Sequence, residues 1–196
     1  MGNLTDIFPA PASNTVLEVI QGVCDGGSIT VPSGTYTLQN VAGEQTLTSN
    51  SYLDVTGSSI TYTPPENTKY VLYRFDFKWL SHGSSGISHF RLYLDSTEII
   101  PAYRQCAGQY SGVHTNNHAN LPMMVEYVFD LTAVSDDIAN GKLAGWTSAK
   151  TIKVQARAYN TTYYKPRAHG NHWFDGGGAT GARQSTKPVL NIIAYS

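Results

Sequence analysis

Residues 70–80 read Y-V-L-Y-R-F-D-F-K-W-L, placing Val71, Tyr73, Phe75, Phe77 and Trp79 at alternate positions with Arg74, Asp76 and Lys78 between them. Successive side chains of a strand point to opposite faces, so this run presents one apolar and one charged face. Such a strand belongs to an antiparallel sheet packed on one side only. The run is longer than the usual strand of about five or six residues, which predicts a place at the centre of its sheet.

The period of two recurs along the chain. Residues 88–95 set Phe90, Leu92 and Leu94 against Arg91 and Tyr93, and residues 123–131 set Met123, Val125, Tyr127, Phe129 and Leu131 against Glu126 and Asp130. Residues 151–159 alternate Ile152, Val154, Ala156 and Ala158 with Lys153, Gln155 and Arg157, and residues 189–195 close the chain as a strand. Weaker strand patterns lie at 28–31, 35–41, 45–49, 52–55 and 59–63. Most are bounded by the Gly, Pro, Asn or Asp that turns require. One helical turn is expected, through Ile138 and Ala139, with Ser135-Asp136-Asp137 before it and Asn140-Gly141 to stop it. Many strands and almost no helix predict an all-β fold, an antiparallel jelly roll or β-sandwich.

The first forty residues differ in character. Phe8-Pro9-Ala10-Pro11-Ala12-Ser13 is punctuated by prolines that cannot pair inside a sheet. A short, weakly patterned apolar run at 16–20 follows, then a hairpin turning at Pro32-Ser33-Gly34. The expectation is two parts: residues 1–42 as a short extended arm with a small hairpin, and residues 43–196 as the jelly roll. Leu4, Ile7, Phe8 and Pro9 would be wasted in solvent, which reads as an arm that docks on a partner, the alternative being that it packs back on its own domain.

Charge narrows the function. Thirteen basic residues against 14 acidic give a net charge of −1, with no basic stripe, so nucleic acid is not an expected partner. No apolar run approaches the roughly 18 residues that cross a bilayer, and no membrane partner is expected. The opening Met1-Gly2-Asn3-Leu4-Thr5-Asp6 has neither a basic nor a long apolar region, so it reads as no secretory signal. Charged residues make up only 14%, against about 25% in ordinary soluble domains. A low charge with 13 tyrosines suits a surface built for contact. Cys24 and Cys106 lie far apart in no metal or redox spacing and are expected as free thiols.

Catalytic and metal patterns are thin. His82, His89, His114, His118, His169 and His172 all fall near loops. His169 and His172 with Asp175 form a weak metal candidate; no metal or other cofactor is expected. There is no nucleophile elbow of the G-x-S-x-G kind. The carboxylates Asp76, Asp95, Glu98, Glu126 and Asp130 are few, and those on strands read as salt-bridged rather than as a hydrolytic pair. The chain is therefore expected not to be an enzyme. Aromatic residues around the second long loop, Tyr159, Tyr163, Tyr164, Trp173 and Phe174, interleave with Arg157, Lys165 and Arg167. Such a set marks an interface or a glycan contact.

Three segments carry a resemblance. They are Asn3-Leu4-Thr5-Asp6-Ile7-Phe8-Pro9, the segment Leu53-Asp54-Val55-Thr56-Gly57-Ser58-Ser59-Ile60-Thr61-Tyr62-Thr63-Pro64-Pro65 followed by the long strand at 70–80, and residues 146–157. Together they resemble virion structural proteins of marine tailed phages that carry a C1q/TNF-like jelly-roll domain. The likeness spans most of the chain as pattern and scattered phrases, and no catalytic motif is attached to it. It implies a homotrimer in the virion, assembled in the host bacterial cytoplasm, as a head decoration or fibre protein or a tail fibre or knob. The implied partners are sister copies, a major capsid or tail protein, and a host surface glycan. The absence of a heptad-bearing stalk departs from long tail fibres and favours a compact module.

Overall fold

The computed structural model describes residues 15–81, 87–106, 119–159, 166–171 and 184–196. Among them every regular element is a strand except one 3-10 turn at Ile138–Asn140, which ends at Gly141 in the left-handed conformation. The strands are β1 (Val16–Val23), β2 (Ser28–Val31), β3 (Gly34–Thr37), β4 (Gln45–Thr46), β5 (Leu53–Asp54), β6 (Ile60–Tyr62), β7 (Tyr70–Ser81) and β8 (Ser88–Leu94). They continue with β9 (Thr97–Cys106), β10 (Ala119–Asp130), β11 (Lys150–Ala158), β12 (Arg167–Ala168), β13 (Gly170–Asn171), β14 (Gln184–Ser185) and β15 (Val189–Tyr195).

The long alternating strand is indeed central. β10 pairs antiparallel with β7 along its whole length, from Ala119↔Ser81 to Asp130↔Tyr70. On the other side of β7 lie β15, against residues 70–76, and β12, against Trp79 and Leu80. β1 extends the sheet beyond β15, and β4 extends it beyond β12. The second sheet runs β5 and β6, then β11, β8 and β9. The two sheets close face to face as an antiparallel β-sandwich of jelly-roll type.

The apolar face of β7 makes the core. Val71, Tyr73, Phe75, Phe77 and Trp79 are all buried against Phe90, Leu92, Ile152 and Val154 of the other sheet. The Trp79 and Phe90 rings meet edge to face at 4.8 Å, and Phe77 and Phe90 at 5.7 Å. Each such side chain taken fully out of water contributes about 1.5–3 kcal/mol.

Residues 16–42, expected ahead of the sandwich, share its core. β1 is a full partner of β15, and Ile20, Cys24, Leu38 and Val41 are buried with the rest. Its apolar residues show no clean alternation because its inward positions are Glu18, Ile20 and Gly22, while Val19 and Val23 face out. The β2–β3 hairpin forms about Pro32-Ser33 as expected. A buried carboxylate holds it down: Glu18 accepts from Tyr62 Oη at 2.5 Å, from Ser33 Oγ at 2.7 Å and from the Ser33 amide at 3.1 Å. Burial and the adjoining Glu18 push the Tyr62 phenol far above its usual range.

The corner at residues 55–59 is the second anchor. Three successive carbonyls each accept a side-chain donor from a different part of the fold: Thr56 from His169 Nε2 (2.9 Å), Gly57 from Cys24 Sγ (3.2 Å) and Ser58 from Tyr73 Oη (2.6 Å). The amides of Thr56 and Gly57 donate to Gln45 and Gln39 side chains, both at 2.8 Å. Backbone polar groups that leave the sheet ladder are thus paired rather than orphaned.

Candidate functional site

Most residues singled out from the sequence lie outside the described residues: Leu4, Ile7, Phe8 and Pro9 of the arm, Tyr163, Tyr164, Trp173 and Phe174 of the loop, and His172 and Asp175. Tyr159 is described. It follows β11 with its side chain 61% exposed and its amide bonded to Ile87 O. His169 is described too, and it is fully buried. Its ring lies edge-on to Phe75 and Phe77 and its Nε2 is committed to Thr56 O. Burial pushes its pKa down to about 4. Among the described residues no cluster of three His, Cys, Asp or Glu could hold a metal ion.

The carboxylates sit where charged strand faces put them. Asp76 pairs with Arg74 at 2.8 Å, Glu98 with Arg91 at 2.8 Å and Asp95 with Lys150 at 3.6 Å. Glu126 lies 3.9 Å from Arg74, and Asp130 accepts from Thr132. Both cysteines are free and buried, and burial pushes the Cys24 thiol up to about 11. A thiol held protonated is a poor nucleophile.

Two surfaces stand out instead. The first is the outer face of the main sheet. Register aligns Val19, Ile193, Leu72 and Val128 in one row across β1, β15, β7 and β10. The next row is polar, Gln21, Asn191, Arg74 and Glu126, and the row after it is Val23, Val189, Asp76 and Met124. Val19, Val23, Met124 and Val128 are each 41–48% exposed. Tyr70, Leu72, Val128 and Tyr195 line a shallow groove of about 330 Å³ in this face. The sequence showed the charged residues of β7 and hid this face, because an outer row is spelled by residues from four distant segments.

The second surface is a cleft of about 270 Å³ on the outer face of the other sheet, lined by Tyr52, His89, Arg91, Tyr103, Arg104, Gln105 and Arg157 among others. The Arg91 guanidinium lies 4.1 Å from the Tyr52 ring centre and 5.3 Å from that of Tyr103. Arg157 approaches Tyr52 at 5.4 Å. A break in strand register builds one wall: Phe90 of β8 pairs with Arg104 of β9, yet Leu92 pairs with Ile99. The extra residues of β9, Pro101 among them, bulge out and bring Tyr103 over Arg91. Bulges of this kind re-aim side chains. The irregular spacing of β9 is also why no strand is legible there in the sequence.

No protein-family model matches the chain, and no curated protein matches it.

Proposed function

We propose that this chain is a non-enzymatic phage virion structural protein, a trimeric capsid-decoration or short-fibre protein held on a major capsid or tail protein through its N-terminal arm. The observation that carries the reading is the outer face of the main sheet, with two rows rich in exposed aliphatic side chains flanking a polar one. Apolar surface laid out contiguously marks a contact surface. The polar row and its neighbours carry both signs, Arg74 between Asp76 and Glu126, so a second copy can meet this face without uncompensated charge. The resemblance supplies the number of copies and the particle; the sheet face supplies a surface on which copies would pack.

Light scattering on the purified full chain tests this. A solution mass near three times the 21.3 kDa protomer is the expected result. A clean monomer at high concentration would overturn the trimer. Attachment is tested separately, by removing residues 1–13: the shortened chain should keep its mass and lose binding to the particle.

A second reading, a carbohydrate-binding module at a fibre tip that contacts host surface glycan, draws on Tyr159, Tyr163, Tyr164, Trp173 and Phe174. The aromatic and guanidinium cleft beside Tyr52 favours it.

A further inference from the structure

The cleft on the outer face of the second sheet gathers positive charge that carboxylates among the described residues neutralise only at Arg91. Arg91, Arg104 and Arg157 converge there. Only Arg91 has a carboxylate partner among the described residues: its Nη1 donates to Glu98 Oε2 at 2.9 Å with Nε 2.8 Å from Oε1. The neighbouring Glu98 carboxylate first, then burial, raises the Tyr103 pKa, and Arg91 is the one cation paired with Glu98 among the described residues. Among the described residues, Arg157 keeps a buried Nε without a partner and its Nη1 reaches the Asn50 carbonyl at 3.5 Å. Arg104 donates to the Tyr103 carbonyl at 2.8 Å, with no carboxylate partner among the described residues. His89 forms part of the same floor, and burial first, then Arg157 and Arg91, push its pKa down.

Stacking explains why this arrangement holds together. A guanidinium laid on an aromatic face keeps its N–H edge free for a planar acceptor. Surface packing alone would account for one Arg on one Tyr. It does not account for two further guanidinium groups, with a donor lacking a partner, drawn into one concave site. A cleft lined by one sign of charge focuses the field on an incoming counter-ion. The acceptor must be anionic and small, and it must carry apolar surface for the tyrosines.

We propose that this cleft binds an anionic saccharide, with the carboxylate or sulfate of one sugar ring held by Arg157 and Arg104 and the ring itself set against Tyr103 and Tyr52. The inference deepens the carbohydrate reading by naming its ligand class and site, and it is independent of how many copies assemble. The net charge of −1 and the small basic patch argue against single-stranded nucleic acid, which needs a groove that tracks several phosphates.

The test titrates the full-length protein at low salt with four probes by calorimetry: tri-galacturonate, its methyl ester, a sulfated galactose trimer, and a short oligothymidylate of equal charge. Tri-galacturonate or the sulfated trimer should bind, whichever is tighter naming the acid, and the neutral ester should bind at least about tenfold more weakly. Arg157→Ala and Tyr103→Ala should each cost about tenfold with an unchanged circular dichroism spectrum, and Arg157→Lys should recover part of the loss. Tyr103 is 45% exposed, so its truncation gives a folded variant even where Arg157→Ala does not. Equal binding of the ester would overturn the charge recognition and leave a carbohydrate module. Tighter binding of the oligothymidylate would overturn the saccharide. If no probe binds, this inference falls, and the carbohydrate reading then rests on the loop aromatics alone, where Trp173→Ala on a neutral-glycan array decides it.

Discussion

His169 shows how far one residue can depart from what its sequence neighbourhood suggests. Beside His172 and Asp175 it read as a loop histidine able to join a metal site; in the fold it is a core residue at a left-handed backbone position, φ +64°. Nothing in Ala168-His169-Gly170 announces burial, because β12 and β13 are too short to show a period. Its consequence is a dependence of stability on pH. The folded state refuses the proton until about pH 4, whereas an unfolded histidine takes it near 6.5. Between those values the unfolded chain binds more protons, so stability falls as pH falls through that window, and the full span is worth about 3 kcal/mol. Asn tolerates left-handed backbone better than most residues, which makes His169→Asn the informative variant. Urea melts from pH 7 to pH 4 should show a flatter slope for the variant than for the parent. Parallel curves would show that His169 is not the group responsible.

At the scale of elements, the corner between β5 and β6 holds the sandwich to its own first strands. Gly57 sits at φ +85°, and a Cβ there would come within 2.8 Å of both Pro188 and Val41. Gly57→Ala should therefore cost roughly 2–4 kcal/mol, adding backbone strain to overpacking. Ser58 Oγ accepts from the Val154 amide at 3.0 Å and donates to Val55 O at 2.7 Å. Ser58→Ala leaves that buried amide unpaired and should cost about 1–3 kcal/mol. Thermal melts measure both, and a neutral Gly57→Ala would mean that the corner yields rather than holds. This corner was legible only as a phrase, since its role depends on which distant donors reach three carbonyls in a row. Strands were legible where one face is buried without interruption: β2 and β15 match their expected bounds, and β7, β8 and β11 match theirs to within a residue at either end. β9 was missed because its bulge carries exposed Ile100, Pro101 and Tyr103 in succession around a buried Ala102. β1 shows only a weak pattern in the sequence because its buried face carries Glu18 and Gly22 around Ile20 while Val19 and Val23 point outward. The cleft was invisible for the same reason as the sheet face. Tyr52, Arg91, Tyr103 and Arg157 come from four separate segments, and only pairing brings them together.

For the whole molecule, the outer face of the main sheet is the surface on which the proposed assembly is tested. A monomer would leave Val19, Val23, Met124 and Val128 nearly half exposed beside Leu72, Ile193 and Val189, on a sheet whose other face already supplies the core. Covering such side chains would contribute about 1 kcal/mol each, since roughly half of a full burial remains to be gained. Over several residues that is enough to matter against the cost of association. In the proposed assembly the polar row between the apolar ones would set the geometry, since Arg74 would need acceptors in the partner as it has Asp76 and Glu126 in its own chain. Two variants separate these contributions. Val128→Glu with Ile193→Glu places charge in the apolar row and should shift the mass from the assembled species to the protomer, with the β-sheet spectrum retained because neither side chain belongs to the core. Arg74→Glu puts three carboxylates side by side and should weaken assembly more at low salt than at high salt, as screening relieves the repulsion. Light scattering at two ionic strengths reads both. An assembled mass that ignores all of these changes would place the contact on another surface and leave this sheet face without an assembly role.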